Sequence, residues 1–358
     1  NHVHQNHPVY KLHPDWATSL YLPDGTMNTE RWDEHRLTTW FDTFLATLDL
    51  ENPIVAEAMT DSAMFWIENY PLDGFRHDAT KHIPENFWRT LTMKVKSNIL
   101  AAGKNKTIFQ IGETYGNPEL ISSYVSSGML DAQFDFNLYD AAVDAFANPN
   151  AGFNNLARVF NEGLQAYGAH HLMGNITGNQ DRARFISYAD GSVKFGEDAK
   201  LAGWTREINN VDSKGFDEMR SLIAFIMTTP GIPCVYYGDE IGMPGGNDPD
   251  NRRVMQFDNL NEDQQALRDA TGELAKLRRN RMSLMYGGTK IIQSDDQALV
   301  FERNYLGEIT TIVFAKKPTT ISLPNTQKAY PQLLEGNNCT LIGNEISFIG
   351  YGFAIVAQ

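Results

Sequence analysis

The feature that most constrains the fold is a change of hydrophobic pattern near residue 285 of this 358-residue chain. Before it, short apolar runs alternate with segments whose apolar residues recur every three to four positions. The runs predict strands over 72–78, 107–113, 132–138, 172–176 and 231–237. The recurring pattern predicts helices over 52–69, 84–100, 117–127, 154–167, 215–229 and 262–280. Such alternation is typical of parallel strands joined by crossover helices.

After residue 285 the chain carries short alternating runs that are separated by Gly, Asn and Pro. These runs cover 298–303, 310–314, 320–323, 345–348 and 354–356, and they predict a small antiparallel β domain without further helices. We therefore expect a (β/α) domain over 1–284 and an antiparallel β-sandwich domain over 285–358. Residues 3–46 are rich in His, Pro and Asp and are expected to form an irregular loop excursion.

Composition excludes several classes of function. The chain is 42% apolar and 21% charged, as expected of a globular protein, and 30 Lys and Arg against 44 Asp and Glu give a net charge of −14. An acidic surface repels phosphate backbones and anionic lipids, so neither a nucleic acid nor membrane insertion is expected. The two cysteines, Cys234 and Cys339, can form neither a disulfide framework nor a C-x-x-C zinc site.

The segment Gly74-Phe-Arg-His-Asp-Ala-Thr-Lys-His82 places charged residues at the end of a predicted strand. Residues two apart share a strand face, so Arg76 and Asp78 point the same way. A neighbouring guanidinium lowers the pKa of a carboxyl and keeps it ionised, as a nucleophile requires. Taken alone, a structural Arg–Asp pair explains the segment equally well.

Two further strand ends carry carboxylates. Glu113 ends the apolar strand Ile111-Gly112-Glu113, where burial would raise its pKa and suit a general acid, although a strand-terminal Glu can also simply reach water. Asp181, in Asn179-Gln180-Asp181, also fits a plain Asx turn. In a parallel barrel such strand ends converge, and two carboxyl groups about 5–5.5 Å apart can perform retaining glycoside hydrolysis.

With these segments in view, the sequence resembles the α-amylase family, glycoside hydrolase family 13. Residues 74–82 are similar to the family's nucleophile strand, and 111–113 to its acid/base strand. The other matching segments are 179–181 (strand seven), 231–240 (strand eight and its loop), 1–2 (end of strand three) and 48–50 (a shorter segment before the third helix). Together the matches span about residues 1–285.

The resemblance implies a (β/α)8 TIM barrel, represented here by its later strands, from about the end of strand 3 to strand 8. Five strands cannot close an eight-stranded barrel. We therefore expect the complete molecule to carry, before Asn1, a further segment of roughly 100 residues or more with the first three strands.

The resemblance also implies roles for individual residues. Asp78 would be the nucleophile and Glu113 the general acid/base, while Asp181 would hold the hydroxyls of the sugar at subsite −1. Arg76 would keep Asp78 ionised, and His2 would contact the same sugar. Lys81 and His82 would line the leaving-group side, a pair that resembles family members cutting α-1,4 bonds.

One residue departs from the family pattern. Gln180 stands where the family usually has His; an amide still hydrogen-bonds sugar hydroxyls but cannot become cationic. Five aromatic residues could stack on sugar rings, although core packing is the default for most of them: Tyr115, Tyr188, Trp204, Tyr236 and Tyr237. Of these, Tyr115 and Tyr188 lie near the catalytic segments and are the candidates.

Metal binding has two interpretations. Many family members bind a structural calcium near the positions that match Asn1 and the carbonyl of His82. The resemblance therefore makes these two residues candidate calcium ligands. Part of such a site would lie in the 3–46 loop. The chemistry itself would require no cofactor. The histidines near the start of the chain suggest a catalytic metal instead, but that interpretation needs further ligands on later strands.

The expected function is retaining hydrolysis of α-1,4-glucosidic bonds in malto-oligosaccharides, starch-derived glucans, cyclodextrins or pullulan. The loop 245–253 resembles the Gly-Gly-x-Asp-Pro loop of neopullulanase and cyclomaltodextrinase-like members. The alternatives are an α-glucan transglycosylase using the same site and a non-catalytic starch-binding relative. An oligomeric state is possible. Resemblance to bacterial starch-uptake enzymes favours a periplasmic or extracellular location over a cytoplasmic one.

Overall fold

The computed structural model describes residues 1–101, 107–209, 213–324 and 331–358. The chain divides into two compact units, Asn1–Phe134 and Asp135–Gln358, each of which is described by itself. No helix of the described ranges is long and apolar enough to cross a membrane. The predicted division into domains at residue 284 stays a prediction.

The first unit combines a short antiparallel pair with a parallel sheet. Its elements are β1 (His2–His4), α1 (Pro8–Leu12), β2 (Leu45–Thr47), α2 (Pro53–Asn69), β3 (Gly74–His77), α3 (Glu85–Ala101), β4 (Phe109–Gly112), α4 (Pro118–Ser123) and β5 (Ala132–Gln133). Strand β1 pairs with β2, and β3, β4 and β5 form a parallel sheet in that order. Helices α2 and α3 begin and end close to the predicted bounds, which confirms the strand–helix alternation here.

The helices of the first unit form because local caps and an apolar face act together. The Asn52 side chain accepts a hydrogen bond from the Ile54 amide at the start of α2, and Pro53 follows at the first helical position, where its missing N–H costs nothing. Val55 and Met64 of α2 pack with Trp88 of α3 in one buried cluster. This packing fixes the helices behind the strands that carry the candidate site.

The second unit begins with helices and short parallel strands and ends in an antiparallel sheet. Its first elements are α5 (Phe136–Ala147), α6 (Asn154–Tyr167), β6 (Gly174–Ile176), α7 (Phe185–Ala189), α8 (Ala199–Thr205), α9 (Ser213–Thr228), β7 (Ile232–Cys234), α10 (Glu262–Asn280) and α11 (Met282–Tyr286). Strands β6 and β7 are parallel neighbours. Helices α6 and α10 have the predicted bounds.

The antiparallel sheet follows directly. It contains β8 (Gly288–Ser294), β9 (Ala298–Tyr305), β10 (Glu308–Ala315), β11 (Thr319–Ser322), β12 (Gln332–Ile342) and β13 (Glu345–Ala357). Within the described residues the order is β11-β13-β10-β9-β8, and β12 also pairs with β13. The predicted antiparallel C-terminal sheet is therefore confirmed. Two of its strands, β8 and β12, were not predicted. The runs at 345–348 and 354–356, predicted separately, belong to the single strand β13.

One predicted strand is wrong in most of its length. The run 132–138 was expected to be extended, but β5 ends at Gln133 and α5 begins at Phe136. The reason is a helix cap, because the Asp135 carboxylate accepts a hydrogen bond from the Leu138 amide. Burial of this cap raises the pKa of Asp135 to about 6.

Two buried arginines hold the C-terminal end of α9, just before β7. Arg278 Nη1 donates to the carbonyls of Met227 and Thr229, each at 2.8 Å, and Arg303 Nη1 donates to the carbonyl of Thr228 at 2.5 Å. Cations at a helix C-terminus satisfy its unpaired carbonyls and oppose its partial negative charge. The start of β7, which precedes the predicted strand-eight loop, is fixed in this way.

Candidate active site

A single guanidinium joins the two principal carboxylates of the first unit. Arg76 Nη1 lies 2.5 Å from Asp78 Oδ1, and Arg76 Nη2 lies 2.8 Å from Glu113 Oε2. The parallel register explains the meeting, since Arg76 pairs with Ile111 and His77 with Gly112, so that Asp78 and Glu113 both follow directly at the strand ends.

The two carboxylates differ in their surroundings. The Asp78 side chain is 62% exposed, whereas that of Glu113 is 16% exposed. Burial acts to raise the pKa of Asp78, but the hydrogen bond and charge of Arg76, with contributions from Glu113 and His2, lower it below its ordinary value. Asp78 is therefore ionised at neutral pH, as a nucleophilic carboxylate must be.

Backbone contacts connect the turn after β3 to the end of β4. The Thr80 amide donates to the Glu113 carbonyl at 2.8 Å, and the Glu113 amide donates to Thr80 Oγ1 at 3.1 Å. Gly112 permits this approach, because a Cβ there would lie 2.5 Å from Thr80 Oγ1. This gives the glycine of the Ile-Gly-Glu segment a physical role.

His77, between Arg76 and Asp78 in sequence, belongs to the core and not to the site. Its Nε2 donates to Gln110 Oε1 at 3.1 Å, and its ring centroid lies 4.7 Å from that of Trp88. Burial lowers the pKa of His77 to about 4. His77 thus points away from Arg76 and Asp78, as the predicted alternation of side chains along the strand requires.

His2 and His82 lie in an aromatic cluster, here called the loop cluster, that sequence reasoning did not find. The His2 ring stacks on Phe41 with centroids 4.3 Å apart, and Trp32 contacts both Phe41 and His82, at 4.9 Å and 5.5 Å. Phe41 and Trp32 come from the excursion expected to be an irregular loop. The signal in the sequence was the concentration of aromatic and charged residues over 31–41.

The same excursion also holds the segment that carries Lys81. Arg36 Nη1 donates to the Lys81 carbonyl at 2.6 Å, and the Arg36 carbonyl accepts a hydrogen bond from His82 Nδ1 at 2.7 Å. Lys81 Nζ lies 2.9 Å from Asp33 Oδ1. Tyr115, two residues after Glu113, is 43% exposed.

In the second unit, Asp181 is held by its neighbours in the chain and by the loop after β7. Its amide donates to Asn179 Oδ1 at 3.0 Å, so the Asx turn considered as an alternative is present. Gln180 Nε2 donates to Asp181 Oδ2 at 2.8 Å, and Arg252 Nη2 donates to Asp181 Oδ1 at 3.2 Å. The turn orients a carboxylate, and its grouping with Asp78 and Glu113 stays a prediction.

A buried ion pair between Arg184 and Asp239 stabilises the segment that follows the Asn179–Asp181 turn. Arg184 Nη1 lies 2.9 Å from Asp239 Oδ1, and both side chains are almost completely buried. Thr177 Oγ1 donates to Asp239 Oδ2 at 2.5 Å, and the Arg184 guanidinium lies 4.2 Å from the centroid of the Tyr236 ring. Burial raises the pKa of Asp239 in spite of its partners.

The two candidate calcium ligands lie next to each other in the first unit. Asn1 Nδ2 donates to the His82 carbonyl at 3.1 Å. Calcium takes about 6–8 oxygen ligands, and the described ranges contain no group of three or more His, Cys, Asp or Glu side chains that could hold a metal. The calcium site stays a prediction.

Comparison with known proteins extends the sequence resemblance to most of the chain. The family model described as alpha amylase, catalytic domain, matches residues 25–283. The chain is 25% identical over 293 residues to a cyclomaltodextrinase of Geobacillus thermopakistaniensis, covering 79% of this chain and 44% of that protein. It is 27% identical over 256 residues to neopullulanase 2 of Thermoactinomyces vulgaris, covering 71% and 38%. It thus spans less than half the length of these relatives.

Solved structures agree with the sequence comparisons. An Anoxybacillus alpha-amylase matches with a TM-score of 0.78 and 26% identity, over 100% of this chain and 74% of that chain. The alpha-amylase of Geobacillus thermoleovorans, crystallised with acarbose, matches with a TM-score of 0.76 and 26% identity, over 100% and 75%. The predicted fold class is confirmed: the chain matches the TIM-barrel fold of alpha-amylase structures and ends in an antiparallel β sheet. The chain belongs to the alpha-amylase catalytic-domain family.

Proposed function

We propose that this protein is a retaining glycosidase that cleaves α-1,4-glucosidic bonds in malto-oligosaccharides, starch-derived glucans, cyclodextrins or pullulan. The observation that supports this most is the contact of Arg76 with both Asp78 and Glu113 at the ends of adjacent parallel strands. Membership of the family and the named cyclomaltodextrinase and neopullulanase relatives support the substrate class.

In the proposed first step, an Asp78 carboxylate oxygen attacks the anomeric carbon and the bond to the leaving-group oxygen breaks. Glu113 donates its proton to that oxygen, so that the leaving sugar departs as a neutral alcohol. The product on the enzyme is a glycosyl ester of Asp78. The lowered pKa of Asp78 keeps the attacking group ionised for this step.

In the second step, Glu113 acts as a base and removes a proton from water, which attacks the anomeric carbon and releases Asp78. Two displacements on opposite faces retain the anomeric configuration. Asp181 and Gln180 present carboxylate and amide groups suited to sugar hydroxyls, and Arg252 fixes the Asp181 carboxylate. Interception of the ester by a sugar would give transglycosylation from the same site.

The test is turnover of maltoheptaose, β-cyclodextrin and pullulan by the protein and by Asp78→Asn and Glu113→Gln. Each variant is expected to lose at least about 1,000-fold in kcat, because each removes a group that acts in the transition state. Glu57→Gln is a matched control, since Glu57 pairs with Lys94 on the surface of the first unit. NMR of the first product should show the α-anomer. Absence of turnover by the unaltered protein, or retained turnover in Glu113→Gln, would refute the proposal.

A further inference from the structure

A cavity of about 250 Å³ lies within the second unit, in a place that the proposed mechanism does not use. Its lining includes Asp140 and Asp144 of α5 together with Arg182, Tyr188 and Phe195. We call it the Tyr188 cavity. Sequence reasoning singled out Tyr188 as a residue for stacking on sugars, but gave it no place in the site.

One wall of the cavity is a fixed aromatic surface. The rings of Tyr188 and Phe195 stack with centroids 4.9 Å apart and an interplanar angle of 29°. Tyr188 is anchored because it packs against a buried apolar cluster that includes Val193 and Ile208. Phe195 remains 40% exposed, so an aromatic surface is accessible to solvent. The C–H face of a pyranose ring packs on surfaces of this kind.

Another part of the lining is polar and carries paired charges. Arg182 Nη2 lies 3.1 Å and 3.2 Å from the two carboxylate oxygens of Asp140. The two side chains are 36% and 50% exposed, so this ion pair is partly open to solvent. A guanidinium beside a carboxylate offers N–H donors and oxygen acceptors together, which suits neighbouring hydroxyl groups.

The charges indicate which ligand fits. Two carboxylates, on Asp140 and Asp144, against one guanidinium disfavour a phosphate or another anion. An aromatic surface and an ion pair in the same lining favour a neutral ring with hydroxyl groups at its edge. The volume is below the roughly 300–1,000 Å³ of pockets for drug-sized ligands, so one sugar unit fits better than a long oligosaccharide.

We propose that the Tyr188 cavity is an accessory binding site for a glucosyl unit of an α-glucan, which binds sugar without taking part in bond cleavage. The proposal rests on the proposed function for the chemical class of its ligand. Phe195 and Tyr188 would contact the sugar face, and Asp140 and Arg182 would bind its hydroxyls.

The experiment first blocks the catalytic centre with 5-fluoro-α-D-glucosyl fluoride. In this reaction the Asp78 carboxylate displaces fluoride and forms a slowly hydrolysed glycosyl ester, which mass spectrometry detects. Failure to label Asp78 would count against the proposed function and leave the cavity testable in the unlabelled protein. Maltotriose is then titrated into the labelled protein, and binding is measured by saturation-transfer NMR and calorimetry.

The labelled protein should bind maltotriose, and Phe195→Ala should weaken the Kd by about fivefold through loss of an aromatic contact. Asp140→Asn, which keeps the size of the side chain, should weaken it as well. Phe257→Ala is the matched control, because Phe257 is 75% exposed and lies outside the cavity lining. No binding to the labelled protein, or equal Kd values in Phe195→Ala, Asp140→Asn and the unaltered protein, would overturn the proposal.

Discussion

Arg76 Nη2 lies 2.8 Å from Glu113 Oε2, although the two residues are on different strands. Because the same guanidinium also contacts Asp78, replacing it changes the environment of both carboxylates at once. Arg76→Met should lower kcat/KM for maltoheptaose by about 100-fold, as expected when a charged group that orients reacting carboxylates is removed.

The pH profile of that variant gives a sharper result. Arg76 lowers the pKa of Asp78, so its loss should move the acidic limb of kcat/KM toward higher pH. Arg89→Met is the control, since Arg89 pairs with Glu85 on an exposed helix face. An acidic limb that does not move in Arg76→Met would contradict the role given to Arg76.

Phe41 is expected to act as a positioning residue for His2. Phe41→Ala removes the ring that stacks on His2 at 4.3 Å, and should raise KM for malto-oligosaccharides by about fivefold with a smaller change in kcat. Phe44→Ala is a matched control from the same excursion, because Phe44 is 43% exposed and contacts His4 instead. Equal KM values in the two variants would show that the stacking has no functional role.

His77 should make the protein sensitive to acid. Burial lowers the pKa of His77 in the folded state to about 4 from its ordinary 6.5, so the unfolded state takes up the proton first as the pH falls. The stability that this group contributes is complete above pH 6.5 and is lost between pH 6.5 and 4. The loss is on the order of a few kcal/mol.

Urea unfolding at several pH values measures this effect. The stability advantage of the unaltered protein over His77→Gln should shrink as the pH falls from 6.5 to 4, because the variant lacks the titrating group. His13→Gln is a control at an exposed histidine. A difference in unfolding free energy that is the same at pH 7 and pH 4.5 would argue against a buried neutral His77.

The Arg184–Asp239 pair should be essential to the second unit. Asp239→Asn leaves a buried guanidinium without its counter-ion and should cost about 3–5 kcal/mol of unfolding free energy. Glu273→Gln, at the exposed Lys276 pair, should change stability by less than about 0.5 kcal/mol. The melting temperatures of both variants are measured by calorimetry. Similar melting temperatures for Asp239→Asn and Glu273→Gln would contradict the prediction.

Much of the fold followed from local pattern. Helices α6 and α10 were predicted with their observed bounds because each has a regular apolar face, and α10 begins with a capping box at Asn261 and Gln264. Helix α5 was missed, since its first residues continue an apolar run and only the cap at Asp135 marks the change. Strands β8 and β12 depend on pairing with distant strands, which pattern alone does not reveal.

The candidate site could likewise be predicted only in part from the sequence. Strand-end carboxylates could be found from sequence because Glu113 closes an apolar run and Asp78 ends a short predicted strand that also carries Arg76. The contact between Arg76 and Glu113 could not, because it depends on the register of two strands separated by a helix. The loop cluster was missed for a similar reason, since Phe41 reaches His2 only through the pairing of β1 with β2.

The two hydrogen bonds between Thr80 and Glu113 have a consequence for thermal motion. They connect the turn that follows Asp78 to the end of β4. The backbone segments that carry Asp78 and Glu113 are therefore held together as one small unit. Motion of the surrounding loops is therefore expected to displace both carboxylates together, so that the distance between them varies less than the position of either one.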